Sequence, residues 1–210
     1  MGALLAADDL PAARRRLRSL CGREAGTLDE AGVARAVVES VAENTSDAVI
    51  GPLVWGACLG LPGLVGYRAL NTLDAMVGNR SPRYVRFGWA AARADDVVNL
   101  IPARLTAALS VALAGVCGGS PARAARAWRR DGRRHPSPNA GQVEAAFAGA
   151  LDRTLGGPVT YASGTEERPR LGAGPVPGLA DIDRAVRLSS AVSAAGGALA
   201  VAAALGRCPR

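Results

Sequence analysis

The sequence predicts an all-α fold: a multi-helix integral membrane bundle with a broken-helix hairpin and a Gly/Pro-rich loop region. Three observations lead there. No charged residue occurs between Asp47 and Arg68, and the run 48–67 matches the roughly 20 apolar residues a helix needs to cross a bilayer. Two further uncharged runs, 105–122 and 188–206, have comparable length. The apolar fraction of 49% comes with only 4% aromatic residues, so small side chains carry it, and small side chains let helices approach closely.

The whole chain, 1–210, is expected to form one membrane-associated domain. Its parts are a helical segment over 1–47, membrane helices over 48–122, a cytoplasmic loop region over 123–187 and a C-terminal membrane helix over 188–206. Pro11 opens a predicted helix that ends at Gly22. A second helix is expected from Thr27, with Leu28, Asp29 and Glu30 in its first turn. It carries Glu39, Glu43 and Asp47 at i, i+4 and i+8, and like charges at that spacing repel. A purely structural helix would spread them out, although a solvated acidic face is the plain alternative. With Asn44 beside them, the pattern points to a cation site.

The run 48–67 contains Gly60, Leu61, Pro62 and Gly63, which is turn chemistry. Two shorter helices meeting there would return Asn71 and Asp74 to the acidic end. The connection 79–89 carries Arg80, Arg83 and Arg86 with Tyr84, Phe87 and Trp89, which suits a headgroup-level position. Asp95, Asp96 and Asn99 then repeat the acid-plus-amide theme. An arginine-dense stretch follows the run 105–122, and the positive-inside tendency places it in the cytoplasm. If 105–122 spans fully, the acidic clusters and the next motif lie on opposite faces. That motif is HPSPN, 135–139, where Asn139 is expected to cap a helix from Ala140 and offer free N–H groups to a phosphate. The segment 155–178 reads as an exposed loop.

Composition narrows the chemistry. All 25 positive residues are arginine, so a Schiff-base lysine and a Walker-type P-loop are excluded. One histidine, His135, rules out His-rich zinc sites. Carboxylates, amides, hydroxyls and arginines remain, a set that suits magnesium and phosphate. The net charge of +7 lacks interleaved aromatics for base stacking, so nucleic acid is not expected as a partner and anionic lipid or a phosphorylated substrate is. Cys21, Cys58, Cys117 and Cys208 form no C-x-x-C pair and read as buried reduced thiols. No signal peptide is visible in the first 30 residues.

Four segments in order, ESVAENTSD, YRALNTLDAMVG, FGWAAARADDVVNLIPARL and DGRRHPSPNAGQVEAAFAGAL, resemble the cobalamin-biosynthesis family called CobD/CbiB, adenosylcobinamide-phosphate synthase, over about 22–185. The resemblance implies a multi-pass enzyme of the cell (inner) membrane. It would join a carboxylate of adenosylcobyric acid to aminopropanol or its phosphate, using ATP and Mg2+, with other corrin-pathway enzymes as further candidate partners. Relative to the family pattern, a membrane-embedded region of several tens of residues is expected ahead of the segment matching 14–22, and the chain is read as starting almost directly there. Asp152 and Ala48 each stand where the family pattern has a glycine.

Such chemistry assigns catalytic roles to Glu39, Glu43, Asp47 and Asp96. Metal binding falls to Glu43, Asp47, Asp74, Asp95 and Asp96, with Asn44, Asn71 and Asn99 as neutral ligands or orienting donors. Arg93, Arg104, Arg133, Arg134, His135, Ser137 and Asn139 are the phosphate- or substrate-binding candidates. Two other readings fit acidic-amide clusters at the ends of apolar helices. One is a magnesium-dependent intramembrane prenyl- or phosphotransferase; the other is a non-catalytic membrane scaffold of the corrin pathway.

Overall fold

A computed structural model describes residues 1–21, 23–78, 86, 88–161 and 164–207. Helix α1 is Gly2–Ala6 and α2 is Leu10–Leu17. The side chain of Asp9 caps α2 by accepting from the Ala12 N–H at 2.9 Å, and the helix ends short of the expected Gly22. Helix α3, Glu30–Asn44, begins three residues later than the sequence suggests, because Asp29 is the residue that caps it through the Gly32 N–H.

Beyond Asn44 the helix widens into a π turn, Thr45–Ile50. The strict i, i+4, i+8 register of the three acids is therefore broken between Glu43 and Asp47. Helix α4, Gly51–Leu73, follows directly and is interrupted at Gly60 (φ 66°, ψ −152°). Only glycine occupies that backbone region readily. The limbs on either side touch: a Cβ on Gly63 would strike the Trp55 carbonyl, and one on Gly51 would strike the Tyr67 ring. Gly60→Ala is accordingly expected to cost about 1–3 kcal/mol, visible as a lower unfolding temperature in detergent. A second π turn, Asp74–Gly78, ends this part of the chain.

Helix α5, Trp89–Val98, and α6, Leu100–Ala112, meet at Asn99. The expectation that 105–122 is a membrane helix is corrected. Helix α6 has 13 residues, a rise of about 20 Å, and gives way to a 3-10 turn, Ala114–Cys117, and a left-handed Gly118. Its Pro102, Ala103, Thr106, Ala107 and Ser110 are buried in protein. Ser120 then caps α7, Pro121–Asp131, which leads the chain back. The conflict between faces disappears, because the run turns and returns.

Helix α8, Ala140–Leu151, is buried at every position from Gly141 onward. Small residues make this possible: Gly149 packs on the α7 backbone at Ala124, and Gly141 packs on Gly132 and His135. The region 123–187 is thus not a loop region but contributes the most enclosed helix. Nor is the chain all-α. Strands β1, Leu155–Tyr161, and β2, Gly164–Leu171, form an antiparallel hairpin where an exposed loop was expected. Gly156 and Gly157 take positive φ at a register shift, so glycines that look like loop signals are bulge residues.

The hairpin is tied to the helices through both strands at its open end. Gly156 N–H donates to Glu39 Oε1 at 2.8 Å, and Arg35 donates to the Gly156 and Pro158 carbonyls. On the β2 side of that end the fully covered Asp131 accepts from Arg130, Arg134 and the Gly172 N–H. Burial works against the Asp131 carboxylate, yet these donors hold it below the usual range.

Helix α9, Leu179–Leu205, starts nine residues before the expected 188. Gly196 forms a notch that receives Ile50 of the first π turn. By length and composition, the helical stretch Glu30–Gly78 and α9 could each cross a membrane. Of the cysteines, only Cys117 is buried as expected; Cys21 is half-buried, Cys58 is exposed and Cys208 lies outside the described residues. Most of the connection 79–89 also lies outside them, although Trp89 is exposed.

Candidate active site

One cavity of about 440 Å³ collects residues from every motif. The first π turn supplies Ser46 and Asp47, with Glu43 from the end of α3. Asp74 comes from the second π turn, Asp95, Asp96 and Asn99 from the α5–α6 corner, and His135, Ser137 and Asn139 from the turn before α8. Arg168 arrives from β2.

The acidic end is organised by amides. Asn99, itself buried, donates to Asp95 Oδ2 at 3.0 Å and accepts from Tyr67 Oη at 2.8 Å. Asn71 donates to Asp95 Oδ1 at 3.3 Å. Asn71 and Asn99 therefore orient an acid, and Tyr67, which also donates to the Asp47 carbonyl, locks α4 to this corner. Burial pushes the Asp95 carboxyl up, opposed by the amides, and pushes Asp96 up, opposed by Arg93. These are carboxylates short of positive partners.

The turn before α8 adds hydroxyl, amide and imidazole groups to the same cavity. Ser137 Oγ accepts from the Asn139 and Ala140 N–H groups, so Ser137 does the capping that Asn139 was expected to do. Asn139 is thereby free to donate to the Asp96 carbonyl at 2.7 Å, which joins α8 to the acidic corner. His135 Nδ1 accepts from the Ser137 N–H at 3.0 Å. Burial and then Arg168 hold the ring below its ordinary pKa, so it is neutral with its proton on Nε2. That nitrogen has no hydrogen-bond partner among the described residues.

Several predicted residues stand elsewhere. Glu39 does not line the cavity; its carboxylate is consumed by Arg23 at 2.7 Å and by the Gly156 N–H. Asn44 is exposed and donates back to the Ser40 carbonyl. Arg93 is exposed beside Asp96 at 3.6 Å, and Arg104 reaches the Leu100 carbonyl and Asn139 Oδ1. Arg133 and Arg134 are exposed, the latter engaged with Asp131. None of these four arginines lines the cavity.

Two contributors were missed. Arg168 is the sole arginine among the lining residues, and it was overlooked because its segment read as loop. Glu144 is fully covered on α8, 3.9 Å from His135 Nε2 and against Glu43; burial and then the Glu43 and Glu39 charges raise its pKa well above the carboxylate range. Its place as the one charged residue in the buried run AGQVEAAFAGAL is the signal that could have marked it. Among the described residues, no three His, Cys, Asp or Glu side chains converge closely enough to hold a metal ion by themselves.

The family model for the CobD/Cbib protein matches residues 1–189. A cobalamin biosynthesis protein CobD of Mycobacterium tuberculosis is 60% identical over 198 residues, covering 94% of this chain and 63% of its own length. Proteins of the same name from Rhodobacter capsulatus and Chromobacterium violaceum are 53% and 51% identical, over 88% and 96% of the chain. The chain spans 58% and 63% of the length of these two relatives. No solved structure matches. A model match over most of the chain and this level of identity show that the chain belongs to the CobD/CbiB family.

Proposed function

We propose that the chain acts in cobalamin biosynthesis as an ATP-dependent acid–amine ligase, joining adenosylcobyric acid to aminopropanol or its phosphate. The observation that supports this most directly is one cavity lined by Glu43, Asp47, Asp74, Asp95 and Asp96 together with Arg168, His135 and Ser137. Amide formation needs both. The acid is activated by transfer of the γ-phosphoryl group of ATP to a carboxylate oxygen, releasing ADP. The amine then attacks the acyl carbon, the C–N bond forms, and the C–O bond to the departing phosphate breaks.

Asp47, Asp74, Asp95 and Asp96 line one cavity, and one or two of them would hold Mg2+ together with waters and substrate phosphates; bound there, it would supply charge neutralisation for the transferring group. This chain's own parts are orientation of Asp95 by Asn71 and Asn99, and hydrogen-bond donation to phosphate oxygens from the hairpin side. The helical stretch through α4 and the helix α9 would place the protein in the cell membrane as a multi-pass bundle, with the α4 limbs as a hairpin dipping into it. The test is amide synthesis dependent on ATP, corrin acid and amine. Glu43→Ala and Asp96→Ala are each expected to lose most of it, and full retention in both would sink the assignment. Release of a lipid-linked product without ATP would point instead to a phosphotransferase.

A further inference from the structure

Arg168, His135 and Ser46 share an unusual condition at the cavity wall. Arg168 Nε and His135 Nε2 are buried without a hydrogen-bond partner among the described residues, as are Ser46 Oγ, beside the Asp47 carboxyl, and Glu144 Oε1, 3.9 Å from His135 Nε2; Arg168, His135 and Ser46 line the cavity. Ser46 is 1% exposed and the His135 side chain 5%. Buried polar atoms are nearly always satisfied, so each of these calls for a missing partner. With Nδ1 occupied as an acceptor by the Ser137 N–H, His135 offers Nε2–H as a donor. Arg168 offers Nε–H, which stands 3.8 Å from Glu166, beyond hydrogen-bond range. A guanidinium, an imidazole N–H and a hydroxyl facing one cavity are satisfied together by an oxyanion.

We propose that the hairpin side of the cavity is a phosphate subsite in which Arg168 Nε–H and His135 Nε2–H, assisted by the Ser46 hydroxyl, bind the oxygens of one phosphoryl group. Arg168 is prepared for this. Its Nη2 donates to Tyr161 Oη at 2.7 Å, and its guanidinium carbon lies 5.9 Å from the centre of the Tyr161 ring. Tyr161 thus holds the guanidinium through Nη2 and leaves Nε–H without a hydrogen-bond partner among the described residues. The phosphoryl group belongs either to ATP or to the phosphorylated amino alcohol, and the chemistry of recognition is the same. The subsite deepens the ligase reading and rests on it for the identity of the ligand, but phosphate binding itself needs no turnover.

Binding of inorganic phosphate, an amino-alcohol phosphate and ATP to the purified detergent-solubilised protein is measured by calorimetry. Arg168→Ala is expected to weaken phosphate at least tenfold, and His135→Phe, on a separate element, to weaken it as well. Arg168→Lys keeps the charge but not the planar fork and falls between. Arg126→Ala, exposed on α7, leaves affinity unchanged. Weakening of the amino-alcohol phosphate with ATP unchanged assigns the subsite to the amine, and the reverse assigns it to the nucleotide. Wild-type phosphate affinity in folded Arg168→Ala and His135→Phe overturns the proposal. Arg168-dependent phosphate binding without ATP-dependent amide synthesis removes the ligase reading and leaves the subsite. Unchanged KM values for both substrates in Arg168→Ala remove the subsite and leave the ligase.

Discussion

Asp47→Asn is expected to lower ATP-dependent amide synthesis by about 100- to 1,000-fold, the scale on which removal of one preorganised oxyanion-hole donor acts. Asp47 stands at the centre of the acidic end, where Asp95, Glu43 and Asp74 are the charges that act on it. It shares the first π turn with Ser46, and its backbone carbonyl is held by Tyr67. The same substitution relieves repulsion, so the cation-free variant should melt higher, by about 2–4 °C for each kcal/mol of repulsion removed. Adding magnesium should raise the melting temperature of the wild type and raise that of the variant less. Activity and stability therefore move in opposite directions, which a variant that merely misfolds cannot do. Thermal unfolding with and without magnesium, beside the activity assay, reads both.

Arg23→Ala is expected to cost about 3–5 kcal/mol, because it leaves the Glu39 carboxylate buried without its counter-ion. Both side chains are almost completely covered, and they meet at 2.7 Å. Glu39 also receives the Gly156 N–H, so the loss reaches β1 and with it the hairpin that carries Arg168. Unfolding in denaturant should show a lower midpoint, and limited proteolysis should cut the hairpin faster than in wild type. Replacing both partners with apolar residues of similar size should recover much of the loss. Recovery of stability with the hairpin still open to protease would separate the pair's packing role from its role as an anchor.

The acidic half of the site was legible because its chemistry is local: carboxylates and amides recur at helical spacing around uncharged runs, and a reader can bring Asp74 back to Asp47 through the Gly60 break. What the spacing could not show is the division of labour. Glu39 has the same spacing to Glu43 as its neighbours have, yet it faces a separate wall, and only the Arg23 and Gly156 contacts reveal that. The π turn at Thr45–Ile50 leaves no composition signal, although it resets the register of everything after it. The cationic half was misassigned for another reason. Arginines next to HPSPN looked like the phosphate ligands, whereas the cavity takes its arginine from a strand 33 residues beyond His135. The glycines and prolines of that strand pair carry the same signature as a surface loop, and pairing between strands is a long-range property. Helix α6 was read as a span because an uncharged run buried in protein and one buried in lipid have the same composition.

The hairpin anchor also sets a timetable for the growing chain. The acidic end is complete once Asn99 has been made, whereas Arg168 lies 69 residues further on. At about 5–20 residues per second that is an interval of about 3–14 s. For those seconds the chain holds every cavity carboxylate and neither Arg168 nor the Gly156 N–H that secures Glu39. The carboxylates of the chamber thus come entirely from the first half of the chain, and its arginine and histidine entirely from the second.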